Sequence, residues 1–321
     1  MSDWLRNDLQ LVISRIVPAS ADASFRRYFR IVVDGNTFIV MDSPPDKEDC
    51  LPFVEIAEAL YGMGLNVPRI EQKNLDDGFL LLSDLGEHSY LSLLSQETAD
   101  QLYRDAIDAL IKMQCATKDN VLPLPLYDRS LLLDEMALFR DWLLGRHLGL
   151  SLDEEDESML ESVFELLVDN VLTQPQVLVH RDYHSRNLMV CGSNPGILDF
   201  QDAVIGPISY DLVSLLRDCY VAWPQAQQKQ WVDYYCDSAQ QQGLLTQDQV
   251  QQFGRWFDLM GVQRHLKAAG IFARLYHRDG KDGYLADIPL TLNYICDVSK
   301  SYSELSGLAK LIQQRVLAPL S

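Results

Sequence analysis

Residues 177–203 constrain the fold of this chain more than any other stretch. They interrupt a half of the sequence otherwise patterned for helices, with apolar runs at Val177–Val179, Leu188–Val190 and Ile197–Leu198. Each run is too short for a helix and is flanked by polar residues that a core would exclude. Helical periodicity covers about residues 97–118, 130–148 and 154–171 before the interruption and resumes from 207 to the end. Short strands must therefore sit among helices, with the loops between them displaying His180, Arg181, Asp182, Asn187 and Asp199.

The first ninety residues are patterned differently. Arg27–Val33 and Asn36–Met41 are β-branched and aromatic runs joined by Asp34-Gly35, a pair suited to the positive φ angles of a two-residue hairpin turn. That turn sets Arg30 opposite Ile39 and Tyr28 opposite Met41, so Arg30, Tyr28 and Met41 share one face of the sheet. Leu51–Gly62 has helical periodicity, Gly78–Leu82 is strand-like, and Trp4, Leu5, Leu9, Val12, Ile13 and Ile16 are spaced for an amphipathic helix over residues 3–16. With no repeat, low-complexity tract or long linker, the expectation is an α+β chain in two closely packed regions. A small antiparallel sheet with one helix occupies residues 1–88, and a larger, mostly helical part occupies 89–321.

The polar residues of the interruption form a pattern. His180-Arg181-Asp182 is followed by Asn187 five residues after the aspartate, and Asp199-Phe200 begins twelve residues later. In phosphoryl transfer from a nucleotide, one carboxylate orients and deprotonates the attacking hydroxyl, while an Asn and a second Asp supply hard oxygen ligands to magnesium. Asp182 fits the first role and Asn187 with Asp199 the second. Any one of the three alone reads as a loop cap or turn residue; all three at this spacing point to the chemistry. His180 is expected as a buried, hydrogen-bonded support of the loop.

The rest of the composition narrows the field. A net charge of -19 disfavours nucleic acid and anionic membranes as partners, yet leaves a nucleotide held locally through metal ions. The six cysteines lack CxxC pairs, so reduced, buried thiols are expected instead of zinc or disulfides. The N-terminal residues lack the order of a signal peptide and no apolar run is long enough to span a membrane, which places the chain in the cytoplasm. Only twelve residues separate Asp199 from Asp211, too few for an activation loop and peptide-docking platform, and this favours a small acceptor.

The catalytic pattern, the strand ending at Asp199 and the later Tyr210-Asp211-Leu212 resemble the aminoglycoside phosphotransferase superfamily over nearly the whole chain. The resemblance implies a protein-kinase-like two-lobed fold, with ATP bound between the lobes and magnesium as cofactor. Within that superfamily, Ala23–Arg30, Met41–Pro45, His180–Asn187 and Arg264–Lys267 resemble the bacterial anomeric kinases of N-acetylmuramate and N-acetylglucosamine. That likeness implies phosphorylation of a sugar C1 hydroxyl in the recycling of cell-wall fragments. Another small alcohol, such as an aminoglycoside, a choline-like or a homoserine-like acceptor, is the alternative within the enzyme class. A nucleotide-binding pseudokinase is the alternative outside it, and the oligomeric state is left open.

The departures from the kinase pattern lie on the nucleotide side. Met41 stands where a strand lysine is expected. Arg30, or Arg26 two steps earlier on the same face, could replace it, with Glu55 and then Glu58 as the helix carboxylate that pairs with it; solvated side chains are the plain alternative. The Pro18–Ser24 segment has no glycine where a phosphate-covering loop is expected, although its backbone N–H groups and the Ser24 hydroxyl could approach phosphate oxygens. The resemblance places the adenine against the backbone of Leu82, Ser83, Asp84 and Leu85. For the acceptor, Asp202 either touches sugar hydroxyls or caps its loop. Arg264, His265 and Lys267, on an otherwise apolar helix, either hold a substrate carboxylate or pair with nearby acids.

Overall fold

The computed structural model describes residues 1–21, 25–117 and 122–318. The chain divides into two compact units: Met1–Met113 with Arg186–Asp202, and Gln114–Ser185 with Ala203–Ser321.

The first unit is built on a five-stranded antiparallel sheet. Its strands are β1 (Ile13–Ala21), β2 (Arg27–Val33), β3 (Asn36–Asp42), β4 (Ile70–Asn74) and β5 (Phe79–Ser83), in the order β1-β2-β3-β5-β4. The β2–β3 turn is the expected one, with Asp34 at φ 49° and Gly35 at φ 80°, and its register sets Tyr28 against Met41 and Arg30 against Ile39. Period-two alternation sends Ile31, Val33, Val40 and Leu81 to one face, where Trp4 and Leu5 cover them. The expected helix over residues 3–16 is a single helical turn, Trp4–Asp8, that ends near Gln10 at φ 53°. Beyond it the β-branched cluster of Val12, Ile13, Ile16 and Val17 favours extended backbone, and β1 pairs with β2. Helix α1 (Leu51–Gly62) buries Phe53, Val54, Ile56, Ala57 and Leu60.

After β5 come a single-turn helix, α2 (Tyr90–Leu93), and then α3 (Ala99–Ala116), within which the chain passes from the first unit to the second. The second unit holds α4 (Arg129–Leu138), wound on more loosely to His147, and α5 (Glu154–Leu172). It also holds β6 (Gln176–Val179), which pairs with a later strand. The intervening residues return to the first unit as the two-residue strands β7 (Leu188–Met189) and β8 (Gly196–Ile197), paired with each other. Strand β9 (Val204–Pro207) closes against β6, with Val177 opposite Gly206; a side chain at Gly206 would crowd Tyr127 and Val179. The remainder is helical: α6 (Tyr210–Leu216), α7 (Gln225–Gln241), α8 (Gln247–Asp279), α9 (Ile288–Ser299) and α10 (Ser306–Leu311).

Helix α8 is the spine of this unit. Its 33 residues begin at a reciprocal Thr246–Gln249 capping box and end at Gly280 in the left-handed conformation, φ 68°. Close approach to α4 requires Gly270, whose added Cβ would lie 2.3 Å from the Leu138 backbone. Among the described residues no helix is long and apolar enough to cross a membrane. All six cysteines are free, four of them buried.

Candidate active site

In the second unit, β6 delivers the chain into the His180–Ser185 loop, which buried acids hold from behind. Asp211 at the start of α6 accepts the backbone N–H groups of His180 at 2.7 Å and Arg181 at 3.0 Å. This fixes Arg181 at φ 75°, a conformation that a non-glycine residue keeps only where its surroundings impose it. Burial pushes the Asp211 carboxyl up to about 7, and the two N–H donors pull it the other way. Buried His180 accepts the Asp182 N–H on Nδ1 at 3.2 Å, the supporting role expected of it. At the far end, Ser185 gives both its N–H and its hydroxyl to the buried Asp218 carboxylate.

Beneath Asp182 lies a buried polar cluster centred on Glu135 of α4. Its carboxylate takes Arg181, Lys267 at 2.9 Å, the Tyr127 hydroxyl and Gln263 Nε2 at 3.3 Å. Lys267 also donates to the Tyr210 hydroxyl at 3.1 Å. Two cations thus share one carboxylate, and the surplus positive charge acts on Asp182. Burial pushes the Asp182 carboxyl up, but Lys267, then His184, Arg264 and His180, outweigh it and hold the group below the usual carboxylate range. Asp182 is therefore an anion at neutral pH, as a proton acceptor must be.

In the first unit, the β7–β8 pairing folds the chain back so that Leu198 N–H meets the Asn187 carbonyl at 2.9 Å. That brings the two side chains together, with Asn187 Nδ2 donating to Asp199 Oδ2 at 3.2 Å, while Gln201 Nε2 donates to Asp199 Oδ1 at 2.9 Å. Asp199 sits at φ 63°, a second strained residue. Its neighbour Phe200 packs on Phe53 of α1, ring centroids 4.9 Å apart, so the loop is anchored to that helix. Among the described residues no cluster of three or more His, Cys, Asp or Glu is arranged to hold a metal. The Asp199 carboxylate and the Asn187 amide oxygen are hard donors of the kind that would suit magnesium.

The nucleotide-side expectations divide. The Arg30 guanidinium is committed to the segment after β5, with Nε and Nη2 on Asp84 at 2.6 and 3.0 Å, Nη1 on Glu87 at 2.8 Å and Nη2 on the Gly86 carbonyl at 2.7 Å. This bidentate grip ties Arg30 to the segment after β5. Although burial pushes the Asp84 carboxyl up, Arg30 and the Gly86 N–H hold it below the usual range. Arg26 meets Glu48 at 2.8 Å, and Glu48 also accepts the Phe25 N–H at 3.3 Å. Glu55, the expected partner, lies exposed on α1, and Glu58 pairs with Lys73; the buried face of α1 belongs to its apolar residues. Pro18–Ala21, expected in a phosphate loop, are the end of β1, and Ser24 lies outside the described residues. Leu82 and Ser83 close β5, with Ser83 held by Arg69. Leu85 follows in open backbone, its N–H and C=O engaged by no other described residue.

The sequence pattern of the phosphotransferase enzyme family matches residues 15–252. The chain belongs to that family. It is 48% identical over 299 residues to the N-acetylmuramate/N-acetylglucosamine kinase of Pseudomonas putida, a match covering 93% of this chain and 88% of that protein. The protein of the same description from Pseudomonas aeruginosa is 46% identical over the same shares. Among solved structures, the GDP complex of wild-type aminoglycoside 2'-phosphotransferase-IIIa matches with a TM-score of 0.65 and 16% identity, covering 94% of this chain and 98% of that one. The fold is the α+β, two-lobed fold of protein-kinase-like enzymes.

The acceptor-side expectations also divide in this phosphotransferase. Asp202 is exposed in the turn after Gln201. The His265 imidazole faces the protein, Nε2 being 2.9 Å from the Arg217 carbonyl and the ring stacked on Tyr294 at 4.8 Å. Burial pushes it down to about 3, so it is neutral and structural, and its expected place at the acceptor is corrected. Lys267 pairs with Glu135, the acid-pairing alternative. Arg264 is buried and makes no ion pair among the described residues. Sequence reasoning missed Glu135, Asp218 and Glu48. The first lies in an ordinary helical pattern, and only its partners, 46 and 132 positions away, reveal it.

Proposed function

We propose that this phosphotransferase transfers the γ-phosphoryl group of ATP to the anomeric C1 hydroxyl of N-acetylmuramate and N-acetylglucosamine, as a cytoplasmic enzyme of cell-wall sugar recycling. The reaction is supported by the anionic Asp182 on a loop pinned by Asp211 and Asp218. The acceptor is supported by the 48% identity to a kinase described as acting on those two sugars.

Asp182 orients the C1 hydroxyl and accepts its proton. The sugar oxygen forms a bond to the γ-phosphorus as the bond from that phosphorus to the β,γ-bridging oxygen breaks, and ADP leaves with the electron pair. The backbone of Leu82, Ser83, Asp84 and Leu85 receives the adenine edge, with Leu85 offering the unengaged N–H and C=O. Arg30 fixes that segment, and Arg26, held by Glu48, takes the place of the strand lysine at the phosphates. Asn187 and Asp199 would hold magnesium, which would supply neutralisation of phosphate charge.

The test is ATP-dependent phosphate transfer to N-acetylmuramate, N-acetylglucosamine and a panel of aminoglycosides, choline and homoserine, with the acid lability of each product recorded. Acid-labile phosphate on the two amino sugars is expected. Transfer to the other alcohols alone, or an acid-stable sugar phosphate, would overturn the assignment.

A further inference from the structure

Helix α8 carries four polar residues within five positions, Gln263 to Lys267, and three of them are accounted for. Gln263 and Lys267 bond to the Glu135 cluster, and His265 bonds to the Arg217 carbonyl. Arg264 is different. Only 6% of the residue is exposed, and its buried Nε and Nη1 atoms have no hydrogen-bond partner among the described residues. Charged side chains are seldom buried to this extent unless paired, and the chain has 46 acidic residues from which a partner could have come. The other buried cation of this helix, Lys267, has its carboxylate at 2.9 Å.

Its place in the fold is fixed on both sides. Three residues earlier on α8, Gly261 lies so close to Arg217 that an added Cβ would be 3.0 Å from Nη1. Three residues later, Lys267 reaches Tyr210. Arg264 is thereby aimed at the stretch from Tyr210 to Cys219, whose Asp218 carries the end of the catalytic loop through Ser185. Burial works against its charged form, and Cys219, Tyr210 and then the Asp182 and Asp218 carboxylates outweigh it. The guanidinium is therefore a fixed cation near the proton acceptor; it meets the Cys219 thiol, and its Nε and Nη1 are left without a partner among the described residues.

We propose that Arg264 is the acceptor-recognition residue, its guanidinium binding a carbonyl or carboxylate oxygen of the amino sugar whose hydroxyl Asp182 activates. The inference rests on the acceptor assignment above. Both sugars carry an acetamido carbonyl, and N-acetylmuramate adds a lactyl carboxylate; either oxygen matches the donor that the fold leaves open.

The experiment measures kcat and KM of wild type, Arg264→Gln and Arg264→Lys for both sugars and for ATP, with the unfolding midpoint of each variant. Expected is a rise of about tenfold or more in the sugar KM of Arg264→Gln, with the ATP KM unchanged and Arg264→Lys in between. Loss confined to N-acetylmuramate identifies the carboxylate as the bound oxygen, and equal loss on both sugars the acetamido carbonyl. An unchanged sugar KM, with kcat lowered or not, overturns the inference, as does a rise in the ATP KM. Should Arg264→Gln fail to fold, Arg264→Lys decides by the same criterion. Wild type inactive on both sugars would instead overturn the acceptor assignment on which the inference stands.

Discussion

The two units organise charge in opposite ways. In the first, the polar groups pair in separate places: Arg30 with Asp84, Arg26 with Glu48, Asn187 with Asp199. In the second, one buried carboxylate, Glu135, serves Arg181, Lys267, Tyr127 and Gln263 together, and its surplus positive charge keeps Asp182 ionised. Separate pairs can loosen one at a time, which suits residues that must adapt to a nucleotide. A shared cluster holds as a whole or fails as a whole, which suits a proton acceptor whose position and charge must not vary.

The largest effect should come where the cluster meets chemistry. Asp182→Asn keeps the shape and removes the proton acceptor, so kcat should fall by about 10²–10⁴-fold while nucleotide affinity, measured by calorimetry, stays near wild type. Retained turnover would remove Asp182 from that role. Next comes the cluster itself. Glu135→Gln leaves two buried cations without their carboxylate and should lower unfolding free energy by about 3–5 kcal/mol. The matching change in the first unit, Asp84→Asn, leaves Arg30 its contacts with Glu87 and the Gly86 carbonyl and should cost about 1.5–3 kcal/mol. Urea unfolding of both variants tests the contrast directly, and equal losses would erase it.

The same contrast explains what was legible in the sequence. Arg30 opposite Ile39 and Tyr28 opposite Met41 follow from a two-residue turn and the period of a strand, so the face they share could be read from adjacent residues. The meeting of Asn187 with Asp199 was legible because their spacing reflects one strand pair folding back on itself. Glu135 was not, since its partners come from the catalytic loop and from α8, and nothing local marks a helical glutamate as buried. Strand β9 was hidden for another reason: Val204-Ile205-Gly206-Pro207 reads as a turn, and its glycine is needed for close passage past Tyr127. The β-branched residues after Leu11 fit helical spacing by eye, but their preference for extended backbone and their pairing with β2 decided the outcome.

A smaller effect separates buried from exposed titration. His265 in the folded state is pushed down to about 3 by burial, below the unfolded value of about 6.5. With the folded pKa depressed, its contribution to stability is complete above pH 6.5 and is lost as pH falls toward the folded value. Each pH unit below 6.5 removes about 1.4 kcal/mol. In His265→Gln, unfolding free energies measured from pH 7.5 to 5.5 should therefore have a slope shallower than wild type by about half a proton on average, approaching one proton at the acid end. An unchanged slope would mean that the histidine protonates without leaving its place against Arg217 and Tyr294.

The finest test concerns the partner of Arg26, where the structure departs from the expectation of a carboxylate on α1. Glu48 precedes the helix and holds both Arg26 and the Phe25 N–H, so it fixes the side chain proposed for the phosphates and the backbone leading to it. Glu48→Gln keeps a hydrogen-bond acceptor but removes the charge, and should raise the KM for ATP by about threefold to tenfold, with the sugar KM unmoved. Glu55→Gln, on the exposed face of α1, should change neither KM and should alter stability by less than about 0.5 kcal/mol. The reverse result, a nucleotide defect in Glu55→Gln alone, would mean that α1 turns toward the nucleotide when it binds and that Glu48 holds Arg26 only until then.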